Sequence, residues 1–189
     1  MKEEIKKILI EIGADVNKEG IRETPVRVER LYKNFFTYDK KLVLVDEKER
    51  NRKTFVKNEI PITYFSERID NLVVKSGEFV SMCSHHILPF YGKYYFAYLP
   101  SNMIIGLSKI DSLVRYFSGR LQIQEKLGEE IVDWFYKNFK PKFVMIVLVA
   151  KHLCELLTNG KNGVFVTSAI RGDLNLKDEV LKLIGGGKL

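Results

Sequence analysis

Both cysteines and all three histidines of this 189-residue chain stand in two short segments. Cys83, His85 and His86 fall within four positions, and His152 and Cys154 within three. Thiolate and imidazole are the donors zinc prefers, usually four in a tetrahedron; a catalytic ion keeps three from protein and leaves one position for water. Cys83, His86 and Cys154 can supply three. The spacing of three between Cys83 and His86 lets one tight turn aim both at one ion, with Cys154 arriving from a distant strand end. His85 and His152 are then spare imidazoles beside the metal. A metal that activates water, next to a free imidazole, suits hydrolysis with proton transfers near neutral pH. The competing reading is structural. A lone cysteine is commonly a small core residue, and a purely structural zinc closes on four ligands. That arrangement leaves the extra histidine without a role.

The elements around these clusters follow from periodicity. Ile5, Ile8, Leu9 and Ile12 mark an amphipathic helix over residues 2–12, stopped by Gly13. Thr24-Pro25 marks a second helix start, a side-chain cap with Pro at the first helical position. Val28, Leu31, Tyr32 and Phe35 form its buried face. Residues 37–60 are polar and poorly periodic, a loop with one short strand at Lys41–Val45. Leu72–Met82 and Lys93–Leu99 are rich in Val, Phe and Tyr, as strands are. Helical spacing returns at 108–118, where Ser108 and Asp111 have capping-box spacing, and Gly119 ends that helix. A longer helix runs over Gln122–Phe139 with Ile123, Leu127, Ile131, Trp134 and Phe135 inward. Phe143–Ala150 and Gly163–Ile170 read as adjacent strands, Leu176–Ile184 as a terminal helix and Gly185–Leu189 as a frayed tail. The order predicts an α+β fold with a mainly antiparallel sheet. The division expected is a helical extension at 1–38 followed by a zinc-binding catalytic domain at 39–189.

Composition narrows the function classes. A 46% hydrophobic fraction supports a full core. The longest apolar run, Phe143 to Ala150, is strand-sized, so no membrane span is expected. The first residues lack the apolar stretch of a signal peptide, and two cysteines cannot build a disulfide scaffold; a cytoplasmic protein is expected. The net charge of +7 permits an anionic partner. The charges are spread rather than clustered on one stripe, so the same balance fits a lysine-rich surface that only keeps the protein soluble as well as a nucleic acid, phosphorylated-metabolite or membrane partner; a small-molecule partner is expected, with no nucleic acid and no membrane. There is no Gly-rich phosphate loop or dinucleotide fingerprint.

From Cys83 to Lys93 the chain reads Cys-Ser-His-His-Ile-Leu-Pro-Phe-Tyr-Gly-Lys. This resembles the GTP cyclohydrolase I family, which carries Cys-Glu-His-His, an apolar pair, Pro-Phe and Gly-Lys. Further similar segments follow in order: Tyr98-Leu99-Pro100, Gly106-Leu107-Ser108-Lys109, the run from Arg120 to Leu127, His152-Leu153-Cys154 and Thr167-Ser168-Ala169. Gly13-Ala14-Asp15 through Thr24-Pro25-Val26-Arg27-Val28 is similar too. The resemblance spans roughly residues 4–172.

The resemblance implies the tunnelling fold, an antiparallel sheet backed by two long helices, assembled as a toroidal homodecamer with active sites between subunits. It implies hydrolysis at C8 of GTP, release of formate and reclosure to 7,8-dihydroneopterin triphosphate. Carried over by position, Cys83, His86 and Cys154 are zinc ligands, and His152 is the acid/base near the purine N7. His85 serves proton transfer at the ribose side. Glu125, helped by Gln124, accepts hydrogen bonds from the guanine edge. Ser108 and Lys109 face the ribose and triphosphate. A carboxylate suits the paired N–H groups of guanine, which adenine lacks.

Three departures stand out. The Glu of Cys-Glu-His-His is Ser84. The family's Arg three residues after the Ser-Lys lysine is Ser112. Its Arg-Gly after the second cysteine is replaced within Leu156-Leu157-Thr158-Asn159-Gly160. Arginine clamps phosphate bidentately, which Ser or Thr cannot do. Each lost contact is worth roughly 1.5–3 kcal/mol, so triphosphate binding is expected to weaken unless Arg115, Arg171, Lys151 or Lys161 compensates. The alternatives are therefore a diverged cyclohydrolase taking a guanine nucleotide or nucleoside with fewer phosphates, or a catalytically silent, zinc-stabilised purine-binding oligomer.

Overall fold

A computed structural model describes residues 1–161 and 163–185. The chain divides into two compact units, Met1–Tyr38 and Asp39–Leu189.

The first unit holds helices α1 (Lys2–Glu11), α2 (Glu19–Arg22) and α3 (Thr24–Phe35). Pro25 sits in the first turn of α3, where its missing N–H costs nothing. Thr24 lies inside the helix, and the flanking Glu23 makes no side-chain cap. α1 packs on α3, and Glu29 of α3 receives Lys2 at 3.5 Å and Lys33 at 3.2 Å. The expected apolar face of α3 is only partly covered: Phe35 is buried, whereas Leu31 is 58% exposed.

In the second unit, β1 (Lys41–Asp46), β2 (Glu59–Phe65) and β5 (Ile104–Ile105) form a small sheet. A 3-10 turn, Glu47–Arg52, joins β1 to β2. The larger sheet runs β6 (Leu121–Gln122), β3 (Val73–Cys83), β4 (Pro89–Leu99), β7 (Phe143–His152), β8 (Phe165–Gly172). Its long pairings β3–β4, β4–β7 and β7–β8 are antiparallel; β3–β6 is parallel. Helices α4 (Leu107–Ser118) and α5 (Gln124–Phe139) cover one face. Ile110, Leu113 and Phe117 of α4, and Leu127, Ile131 and Phe135 of α5, pack there with Phe79, Phe90, Tyr94, Phe96 and Tyr98. α7 (Lys177–Gly185) caps part of the other face, where Val180 and Ile184 meet Ala97, Phe143, Met145 and Val147. The fold class is α+β, with the antiparallel sheet backed by two helices that the tunnelling fold requires. Among the described residues, no helix is long and apolar enough to cross a membrane.

Three local expectations are corrected. β2 begins at the end of the 37–60 segment read as loop and runs on through residues to which no element was assigned. Its Pro61 lies where only β1 flanks it, since β5 pairs with Tyr64 and Phe65 alone, and an open strand side tolerates proline. No capping box forms at α4. The helix starts at Leu107 after Gly106, and Asp111 is drawn off to the sheet instead, accepting from the Tyr94 hydroxyl and pairing with Lys75 at 3.0 Å. The long helix starts at Gln124, because Gln122 is taken by β6. The expected frayed tail lies outside the described residues beyond Gly185.

Candidate functional site

The sheet register gathers the chemistry-bearing residues at one end. Cys83 closes β3 opposite Gln122 of β6, and Phe90 near the start of β4 faces His152 at the end of β7. The β3–β4 turn therefore hangs over the point where β7 passes into the short helix α6 (Leu153–Asn159) and where α5 begins. That turn carries His85 and His86. It is closed by Ile87 N–H donating to the Cys83 carbonyl and Cys83 N–H donating to the Leu88 carbonyl, both at 2.9 Å. Ser84 N–H ties it to the Gln122 carbonyl at 2.9 Å. Ile87 adopts a left-handed φ of +54°, which costs a β-branched residue on the order of 1–2 kcal/mol. The surrounding hydrogen bonds hold that conformation and with it the histidine pair.

Donor atoms of Cys83, His152 and Cys154 lie within 4.8 Å of one another. His86 Nδ1 is 3.7 Å from the Cys83 sulfur and His85 Nδ1 is 3.9 Å from it. Both thiols are buried and free of any disulfide, while both turn histidines are exposed. Ligands roughly 2.0–2.3 Å from one ion stand about 3.5–4 Å apart, so the spacing and the soft donor set fit zinc. Burial pushes the Cys154 thiol above its usual range, and the neighbouring Cys83 adds to that push. A metal must therefore displace protons to enter.

His152 is held on three sides. Its ring stacks on Phe90 at 4.6 Å and meets the edge of Phe165 at 5.2 Å. Its Nε2 is 2.9 Å from Gln124 Oε1. Burial holds the imidazole below its ordinary range, against an opposing pull from the Glu125 and Glu155 carboxylates.

These residues line a cavity of about 300 Å³. Glu125, exposed in the first turn of α5, reaches it. So does Glu155, one residue beyond Cys154, whose carboxylate accepts the Gly163 N–H at 3.0 Å. Among the described lining residues there is no lysine or arginine. The hydroxyls standing where arginines were expected are spent on their own helices: Ser112 donates to Ser108 O at 3.3 Å and Thr158 to Cys154 O at 2.8 Å. Of the candidate replacements, Arg171 is paired with Asp133 at 2.6 Å. Arg115 and Lys151 line a different, larger cavity of about 750 Å³ that holds no cysteine or histidine. The smaller cavity is the candidate site, because it holds the donor cluster.

Two other expected site residues lie elsewhere. Ser108 and Lys109 open α4, whose opposite end, Ser118, leads into β6 beside Cys83. At 1.5 Å per residue they stand on the order of 14 Å from that end, and they do not line the cavity. Gln124 lines the cavity but is only 3% exposed, and its amide is engaged by protein. Glu155 and Phe165 escaped sequence reasoning. Period-2 alternation along β8 would have placed Phe165 and Thr167 on one side. Glu155 required α6, a helix too short to show a periodic face.

A buried thiol pair with imidazoles beside it, at the end of an antiparallel sheet backed by two helices, defines an α+β protein with a group that could hold a metal ion. Comparison with known proteins makes that class specific. The sequence profile of GTP cyclohydrolase I matches residues 1–185. A GTP cyclohydrolase 1 of Aquifex aeolicus is 38% identical over 98% of this chain and 96% of its own length. One from Hyperthermus butylicus is 38% identical over 95% and 87%. The chain belongs to the GTP cyclohydrolase I family, a family of hydrolases. A crystal structure of the archaeosine synthase QueF-Like in the apo form is also similar, with TM-score 0.45 and 16% identity over 57% of this chain and 99% of that one.

Proposed function

We propose that this protein hydrolyses GTP at C8 of the guanine, releases formate and recloses the ring to 7,8-dihydroneopterin triphosphate. The observation that carries this reading is the convergence of Cys83, Cys154 and three imidazoles on one cavity that also presents Glu125. Cys83, His86 and Cys154 are the proposed zinc ligands, with His152 kept free of the metal. Zinc bound there supplies the Lewis acidity that makes water nucleophilic near neutral pH. His152 takes and returns a proton near the purine N7, where its lowered basicity favours the neutral, proton-accepting ring. His85, exposed on the turn, serves proton transfer at the ribose side. Glu125 accepts the paired guanine N–H groups and rejects adenine, which cannot offer them.

Ser108 and Lys109 are proposed to act on the site of a neighbouring copy, since their own chain holds them away from its cavity. This supports a homo-oligomer with sites shared between subunits, consistent with the decamer that the family resemblance implies.

A second reading is favoured by the missing cations. With Ser112 and Thr158 hydrogen-bonded to their own backbone, the triphosphate grip is reduced, and guanine compounds with fewer phosphates become competitive. Formate release from GTP, GMP and guanosine, measured side by side at two salt concentrations, tests both. The GTP reading expects turnover of GTP with a raised, salt-sensitive KM and weak discrimination against GMP. No formate from any of the three would overturn it; turnover of GMP or guanosine alone would establish the second.

A further inference from the structure

We propose that Gln124 is a positioning residue that sets the tautomer of His152, holding the ring hydrogen on Nε2 and leaving Nδ1 as the nitrogen with a lone pair. The activity part of this inference rests on the proposed role of His152 in proton transfer; the tautomer itself follows from hydrogen bonding alone.

The Gln124 nitrogen lies 3.2 Å from the Leu148 carbonyl, 3.2 Å from the Phe165 carbonyl and 3.3 Å from the Thr167 hydroxyl. Backbone carbonyls only accept hydrogen bonds. The amide NH2 must therefore face β7 and β8, which turns the amide oxygen toward His152 Nε2 at 2.9 Å. An amide oxygen also only accepts, so the imidazole must donate from Nε2. A neutral imidazole carries one N–H, hence Nδ1 is bare.

Neither partner can readily reverse. Flipping the amide would set its oxygen against two carbonyls in a site where Gln124 is 3% exposed. Buried polar groups left unpaired cost about 1–3 kcal/mol each. The imidazole plane is fixed by the Phe90 stack and the Phe165 edge. One side chain at the start of α5 thus spans β7 and β8 and dictates which nitrogen of His152 faces reaction. In the general logic of histidine sites, the group opposite the working nitrogen decides which nitrogen works. A contact between Gln124 and the guanine edge would require this network to open.

The test is ¹⁵N–¹H long-range correlation spectroscopy on the full, zinc-loaded chain with ¹⁵N-labelled histidine. With three histidines in the chain, His152→Ala assigns the signal. The expected wild-type pattern is Nε2–H with a pyridine-like Nδ1. Gln124→Met, which keeps the volume and removes the acceptor, is expected to lose that single tautomer. Formate release from GTP should then fall roughly 10–100-fold with zinc content unchanged. An Nδ1–H ring in the wild type overturns the inference, and so does a Gln124→Met chain with an unchanged tautomer or an unchanged rate. If Gln124→Met does not fold, the wild-type spectrum decides. A wild-type chain with the Nε2–H pattern but no formate release would overturn the proposed function and leave the tautomer assignment standing.

Discussion

His86 and His152 both bring an imidazole to the buried thiol pair, and they are assigned opposite duties. His86 is exposed on a turn, with its Nδ1 3.7 Å from the Cys83 sulfur. His152 is clamped by Phe90, Phe165 and Gln124, the setting of a group whose orientation matters more than its reach. His86→Ala should therefore lose most bound zinc. His152→Ala should retain zinc while formate release falls about 10²–10⁴-fold, the usual worth of a general acid/base. Metal analysis and a formate assay on both variants check this; the reverse pattern of zinc loss would exchange the two roles. The cysteine and histidine pairs were legible in the sequence because both donor types are rare and clustered. Gln124 was legible as a polar residue at a helix start, but not its burial. Its partners on Leu148, Phe165 and Thr167 are backbone and hydroxyl groups 24 to 43 residues away.

At the scale of elements, the Tyr94–Asp111–Lys75 set ties the sheet to α4. Tyr94 is buried, and that burial together with the Asp111 carboxylate pushes its phenol well above the ordinary value of 10.0. A phenol pKa raised by folding contributes stability that is fully present below the unfolded value and is lost as pH climbs from there toward the folded one. Tyr94→Phe should cost about 1 kcal/mol at neutral pH through the lost hydrogen bond, discounted because Asp111 is half-exposed. The gap should narrow above about pH 10, where the unfolded wild-type tyrosine ionises. Denaturant melts on both sides of that pH measure it. An unchanging gap would mean that the phenol carries no pH-linked stability. Long elements were readable: α5, β3 and β4 are long enough to repeat a pattern, and β7 is an unbroken apolar run from Phe143 to Ala150. The small ones were not. β5 and β6 are two residues each and exist only because a neighbouring strand pairs with them. α6 is seven residues long, and the Ser108–Asp111 spacing suggested a cap that tertiary contacts overrode.

For the whole molecule, Lys109 does not line the cavity that holds the donor cluster, and the proposed shared site takes it from a neighbouring copy. Lys109→Ala and Cys154→Ser should each be poorly active alone. Refolded together, they should recover about a quarter of wild-type activity if half of randomly mixed neighbouring pairs combine two different chains and one site in two of those is intact. No recovery on mixing would place Lys109 outside any shared site.

We propose that guanine is hydrolysed at C8 beside the Cys83–Cys154 cluster, which would hold the metal ion. Formate released from GTP should therefore be measured before chelation, after complete metal removal and after zinc is restored. Release should be lost with the metal and recovered with about one zinc per chain. Formate release that persists undiminished in fully metal-free protein would contradict it.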